Sequence, residues 1–181
     1  MRRDGEGRTE TATEYFDVVD ARDRVIGRAS REECHGNPAL IHRAVHILVF
    51  DSRGRLFLQR RSPSKRIQPD RWDTSVGGHV AAGESWDRAA VRELEEELGV
   101  AGVRPEYLYA YLFRGNVESE STRTYTLEHD GPFRLHPEEI AEGRFWTSGE
   151  IDENLGTGLF TPNFEQEIAR YRRLEKKGHG S

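Results

Sequence analysis

The hydrophobic pattern changes period several times along the chain, and each change marks an element. Tyr15–Val19 (YFDVV) reads as a strand, Asp20–Asp23 as a turn and Val25-Ile26 as the start of a second strand, which makes a hairpin. Ser30, with Glu33 three residues on, is a capping box opening a short helix. Leu40–Phe50 (LIHRAVHILVF) is a long, β-branched, apolar strand, and Asp51–Gly54 turns it into a half-buried strand at Arg55–Gln59. Trp72–Val76 reads as another strand. The period then becomes helical: Ala90, Val91, Leu94 and Leu98 recur at three- and four-residue spacing and form one apolar stripe, with Gly99 where a left-handed C-cap is expected. Glu106–Phe113 and Ser121–Leu127 are strands separated by a turn near Gly115-Asn116. Phe145-Trp146 lies on a short strand, Ser148–Asn154 is an acidic helical stretch, and Thr161-Pro162 signals a final helix to about Lys176. Residues 1–12 are charged and aperiodic, which predicts a mobile arm, and residues 177–181 predict a disordered tail. The rest, 13–176, reads as one domain of α/β class with a mixed sheet between helices.

Beside the apolar stripe, Glu93, Glu96 and Glu97 share a neighbouring helix face. Three carboxylates on about one turn repel each other unless a cation lies between them, and clustered oxygen ligands suit Mg²⁺ or Mn²⁺. From Gly78 there are five residues to Glu84, seven more to Arg92-Glu93, then Leu94, Glu96-Glu97, Gly99 and Val100. That is the complete Nudix box, Gx5Ex7REUxEExGU, whose seven fixed residues match by chance in about one window in 10⁸. The chain therefore resembles the Nudix superfamily. The resemblance implies an α/β/α sandwich, a metal held by Glu93, Glu96 and Glu97, and chemistry on a diphosphate. Arg92 is expected to orient a carboxylate through bidentate bonds, and Glu84, which opens the helix, to act as a cap or outer support.

Bulk properties agree with a globular enzyme. The 181 residues are 35% hydrophobic and 33% charged, enough for a core but with polar loops. A net charge of −5 argues against nucleic acid as the main partner; the family resemblance implies a small diphosphate-bearing molecule instead, and a monomer or homodimer is expected. No apolar run reaches membrane-spanning length and no apolar signal region opens the chain. The single cysteine, Cys34, excludes an internal disulfide and fits a reducing, cytoplasmic setting. Arg60–Arg71 (RRSPSKRIQPDR) is a proline-broken basic segment carrying Arg60, Arg61, Lys65, Arg66 and Arg71. It is either a solvated loop or a grip for an anionic substrate, and both readings stay open.

A second constellation consists of His35, His42, His79, Glu118 and Glu120. Glu118 and Glu120, two apart, point to the same side of an extended segment. Together these residues resemble the type I isopentenyl-diphosphate isomerases, a branch of the Nudix fold, over roughly residues 15–165. His35 and His42 have that family's seven-residue spacing, His79 follows the box glycine, and Glu118-Ser119-Glu120 matches its pair of glutamates. The resemblance implies a metal at these five residues, Zn²⁺ or Mn²⁺ by ligand type, with Glu120 also catalytic. It implies a diphosphate held by Arg61, Lys65 and Arg31, and a second metal held through Glu97.

The resemblance departs at two positions. Where the isomerase has its catalytic cysteine, this chain has Gly77, and where it has a tryptophan that shelters a carbocation, Phe160-Thr161-Pro162-Asn163 supplies Asn163. Double-bond migration needs an acid on one face and a base on the other, and glycine is neither. The sequence thus points to a metal-dependent hydrolase of an organic or nucleoside diphosphate. The alternatives are an isomerase-like enzyme and a non-catalytic ligand-binding module.

Overall fold

A computed structural model describes residues 13–65 and 67–178. Expectations for residues 1–12, Arg66 and 179–181 lie outside the described residues. The elements run β1 (Tyr15–Val19), β2 (Val25–Ser30), α1 (Arg31–Cys34), β3 (Ile41–Phe50), β4 (Leu56–Arg61), β5 (Trp72–Asp73), β6 (Val76–His79) and α2 (Trp86–Leu98). They continue with β7 (Glu106–Arg114), β8 (Ser119–Glu128), β9 (Ile140–Trp146), α3 (Ser148–Asn154) and α4 (Pro162–Gly178). Among the described residues no helix is long and apolar enough to cross a membrane.

Strand β3 is the axis of the mixed sheet. It pairs in parallel with β8 along its whole length, from Ile41↔Ser119 to Phe50↔Glu128, and antiparallel with β6 from Ala44↔His79 to Ile47↔Val76. Alternate residues of a strand face opposite ways, so a strand buried on both faces reads as a continuous apolar run. Val45, Ile47 and Val49 pack under α2 against Ala90, Leu94 and Leu98. Leu48, on the other face, joins Ile151 of α3 and Phe164 and Ile168 of α4. The result is the expected α/β/α sandwich. Leu94 and Leu98 are fully buried, which stabilises the docked helix by about 1.5–3 kcal/mol each.

Caps bear out the punctuation read from the sequence. Ser30 and Glu33 form the reciprocal capping box of α1, and Gly99 closes α2 in the left-handed conformation at φ 68°. The Thr161 hydroxyl accepts from the Phe164 amide at 3.1 Å at the start of α4. Several boundaries differ. Strand β4 runs on to Arg61, because Arg60 pairs with Trp72 of β5 and Arg61 with Ile140 of β9, so the first two residues of the expected basic loop are strand. The single strand expected at Trp72–Val76 is broken at Thr74-Ser75, where the Ser75 hydroxyl turns inward to donate to the Phe57 carbonyl and accept from the Val49 amide. Strand β9 starts at Ile140, five residues before Phe145. Helix α4 continues to Gly178, through two residues expected in the tail.

Where α4 crosses the sheet, it buries a carboxylate. Glu167 is fully buried and accepts from Tyr111 (2.6 Å), Thr124 (2.8 Å) and Tyr109, with His46 Nδ1 at 2.9 Å. Burial works against the charged form of His46, but the hydrogen bond and charge of Glu167 outweigh it and hold the imidazole at about 9 instead of 6.5. Burial likewise pushes Glu167 up, and the same partners bring it down to about 2 from 4.5. The His46 contribution to stability is therefore full below about pH 6.5 and lost as the pH rises through 9. The Glu167 contribution is full above about pH 4.5 and lost as the pH falls towards 2. Glu167→Gln should cost about 3–5 kcal/mol near pH 6, with the gap to wild type narrowing as the pH approaches 9. Urea unfolding of both proteins across that range checks this, and a gap independent of pH would contradict it.

Candidate active site

Glycine lets two constellations meet at β6. A Cβ on Gly77 would point towards His46 and Thr74, and one on Gly78 would lie 2.0 Å from the Glu93 carboxyl carbon. Gly77 and Gly78 thus face opposite sides of the sheet, and a side chain at Gly78 would evict Glu93. On the α2 side, Glu97 is buried and its Oε2 accepts from Gln59 Nε2 at 2.8 Å and from the Gly77 amide at 3.4 Å. Burial, and then the charge of Glu93, push Glu97 up to about 8. Glu93 is also raised, chiefly by burial and further by Glu96, although Arg92 opposes the shift. A part-buried and a buried carboxylate, both raised, on one helix face leave room for a cation, and they fit a divalent metal with oxygen ligands. Glu96, with 55% of its side chain exposed, stands at the rim.

Arg92 organises this side. Its Nε and Nη2 grip both oxygens of Glu84 at 3.0 and 2.9 Å. Nη1 reaches Glu93 at 2.7 Å and Glu96 at 3.1 Å, and Nη2 also donates to the His79 carbonyl at 2.9 Å. Glu84 in turn accepts from the Ala81 amide at 3.0 Å, pinning the turn that leads into α2.

On the opposite face lie the histidines. His35 caps α1, His42 is on β3, His79 ends β6, Glu118 precedes β8 and Glu120 lies within it. Ligand atoms of His35, His42 and His79 fall within 4.8 Å of one another, as do those of His42, Glu118 and Glu120. His35 and His79 bring their Nε2 atoms to 3.2 Å, and Glu120 Oε1 stands 3.4 Å from His79 Nε2 and 3.8 Å from His42 Nε2. Phe16 stacks on His42 and His79, with ring centroids 5.2 and 4.8 Å apart. His42 is fully buried, yet neither ring nitrogen has a hydrogen-bond partner among the described residues. Burial, then the neighbouring imidazole charges, hold His35 and His42 down near 4. Glu120 is kept at about 2, where its bond to His79 and the histidine charges outweigh burial. Imidazoles kept neutral at His35 and His42, facing the ionised carboxylate of Glu120, are a donor set that fits a transition metal.

Both groups open into one cleft of about 1040 Å³, which Arg31, Arg61 and Lys65 also line. Arg61 pairs with Asp73 at 3.2 Å, Lys65 with Glu139 at 2.8 Å and Arg31 with Glu14 at 2.7 Å. The basic segment therefore divides. Arg61 and Lys65 line the cleft, while Arg60 pairs with Glu142 and Asp70, and Arg71 donates to the Phe160 carbonyl.

Every site residue inferred from the sequence lines this cleft except His42, which sits directly behind it. The further cleft residues that were not inferred include His46, Gln59 and, as a lining group, Asn163. His46 carried a signal, because positions 42, 44 and 46 share one face of a strand. Gln59 and Glu167 carried none, since their partners are 38 and 121 residues away.

Comparison with known proteins agrees with this architecture. The NUDIX domain family matches residues 40–164, more than half of the chain. A protein of Streptomyces coelicolor described as an uncharacterized Nudix hydrolase is 38% identical over 169 residues, covering 92% of this chain and 93% of its own. The uncharacterized Nudix hydrolase YfcD of Escherichia coli K12 is 35% identical over 173 residues, 95% of this chain and 94% of its own. The crystal structure of DR0079 from Deinococcus radiodurans superposes with a TM-score of 0.72 at 30% identity, covering 87% of this chain and 98% of that one. With an intact box, a family match over most of the chain and near full-length relatives, this protein belongs to the Nudix hydrolase family.

Proposed function

We propose that this Nudix hydrolase splits the diphosphate linkage of a nucleoside diphosphate derivative or another organic diphosphate by attack of water on phosphorus. The observation that carries the reading is the pairing of two raised carboxylates, part-buried Glu93 and buried Glu97, with cations across the same cleft. Glu93, Glu96 and Glu97 would hold Mg²⁺ or Mn²⁺, which when bound neutralises charge on diphosphate oxygens and acidifies the attacking water. Arg61, Lys65 and Arg31 would take the remaining diphosphate oxygens. Their present carboxylate partners keep them extended towards the cleft and cost little to share at these part-exposed positions. Arg92 keeps Glu93 and Glu96 in one fixed arrangement, so the ligands need not reorganise when the substrate arrives.

His35, His42, His79, Glu118 and Glu120 would form a second site, for Zn²⁺ or Mn²⁺. The two unpartnered nitrogens of buried His42 support it, since desolvating them without a bond is unfavourable. These five residues support kinship with the isomerase branch, but the surroundings favour hydrolysis. Gly77 offers no proton donor, Asn163 lines the cleft where a sheltering aromatic ring would stand, and Cys34 is fully buried beside Phe16 and Val18 with its thiol pushed up by burial.

A panel of nucleoside and organic diphosphates with Mg²⁺ or Mn²⁺, read for phosphate release and for isomer formation together, tests the reading. Release from at least one compound is expected, and none from any would sink it. Glu97→Gln should lower turnover at least about a hundredfold while circular dichroism stays native; full activity in the folded variant would end the metal assignment. Calorimetric titration of metal-stripped protein with Mn²⁺ should give a high-affinity event that His42→Gln combined with His79→Gln abolishes, and an unchanged isotherm would remove the histidine site. Incubation with isopentenyl diphosphate and Mg²⁺ should yield no allylic isomer, because losing one acid–base partner alone costs about 10²–10⁴-fold. Isomer formed at about 1 s⁻¹ or faster would replace hydrolysis by isomerisation.

A further inference from the structure

His46 and His136 line the cleft outside the converging ligand group, and the surroundings of His46 differ from those of a packed core histidine. Its Nδ1 is fixed on Glu167 Oε2 at 2.9 Å, with the Tyr111 hydroxyl 3.4 Å away. Both oxygens of Glu167 are consumed inward: Oε1 by Tyr109 and Thr124, Oε2 by Tyr111 and His46. A carboxylate with this many donors is ionised; it holds Nδ1–H and the ring's orientation and favours the doubly protonated ring, in which Nε2 also carries a proton. The other ring nitrogen, Nε2, has no hydrogen-bond partner among the described residues. A core histidine has both nitrogens satisfied, whereas here one edge of the ring is left over. That edge meets β6 at Gly77, where a Cβ would come within 3.5 Å of His46 Cδ2 and 3.8 Å of Nε2. With glycine there, no side chain from position 77 covers it. His46, Gly77 and Asn163 line the same cleft as Arg61 and Lys65.

We propose that His46 is a substrate-binding residue whose Nε2–H, aimed by Glu167 and uncovered by Gly77, donates a charged hydrogen bond to an anionic phosphoryl oxygen of the bound substrate. The proposal rests on the reading of this cleft as a diphosphate site. Glu167 is a positioning residue, acting through the imidazole it holds. The elevation of His46 to about 9 agrees with a ring that is cationic at neutral pH, and such a donor is stronger than a neutral one. A fixed imidazolium also adds positive charge on the face of the sheet opposite the box helix, so the diphosphate is held from both sides.

The probe is methylenediphosphonate, a non-hydrolysable diphosphate, titrated with Mg²⁺ into the full-length protein. Calorimetry gives the affinity, and the imidazole ¹⁵N resonances, assigned with His46→Gln, report on Nε2. The wild-type protein should bind, the His46 Nε2 resonance should move on binding, and His46→Gln should weaken affinity roughly ten- to a hundredfold. Because His46→Gln leaves Glu167 without its cation and so also tests the fold, Gly77→Val is the second variant. It leaves the His46–Glu167 pair intact and lays a side chain over the ring edge, and it should weaken binding similarly. Binding by the wild type with an unmoved His46 resonance, or with affinity unchanged within twofold in either folded variant, overturns the role of His46 and leaves the diphosphate reading standing. No binding by the wild type at about 10 mM probe overturns both.

Discussion

One guanidinium holds the candidate active site together. Arg92 spans the turn before α2 through Glu84, the helix face through Glu93 and Glu96, and strand β6 through the His79 carbonyl. A planar, permanently charged fork can serve several acceptors at once, which a lysine cannot. Its own ionisation is pushed further up, first by the bond to Glu84. Glu84 is thereby kept low even though burial works the other way. The box arginine thus couples helix, turn and strand, and its hold on His79 ties the box to the histidine group across the sheet.

The second constraint is room. Gly77 and Gly78 let the β6 backbone pass between the two constellations without filling either one. Glu93 occupies the space where a Gly78 side chain would be, and the His46 ring edge faces the space at Gly77. Burial then sets the charges. On the α2 side Glu97 is raised to about 8 with little compensation, whereas on the other side Glu120 is held near 2 by the histidines around it. The first carboxylate lacks a counter-charge that a cation supplies, and the second already has partners able to share a metal.

The same framework suits two chemistries, and small side chains separate them. Proton transfer to carbon needs a titrating group beside the metal, whereas hydrolysis needs charge stabilisation and an oriented water. On the function proposed above, Gly77 and Asn163 stand where the first would need an acid and a sheltering ring. Cys34 stays in the small core of the N-terminal hairpin with Phe16, Val18 and Ala29. What remains is a polar cleft rich in carboxylates and cations, suited to binding phosphates.

Much of this was legible in the chain itself, for local reasons. The three- and four-residue spacing of Ala90, Leu94 and Leu98, the Ser30–Glu33 capping box and Gly99 act within a few residues of where they stand, so they read directly as elements. The box glutamates and the five histidine-site residues were legible as motifs of fixed spacing. Tertiary structure alone decided how far β4 runs into the basic segment, because Arg60 and Arg61 take their partners from Trp72 and Ile140. It alone divided that segment between cleft and outer edge, since successive strand residues face opposite ways. It alone joined Gln59 to Glu97 and His46 to Glu167. A hydrogen bond between residues 38 or 121 positions apart leaves no periodic trace, because its geometry exists only after two separate elements have packed on the same sheet.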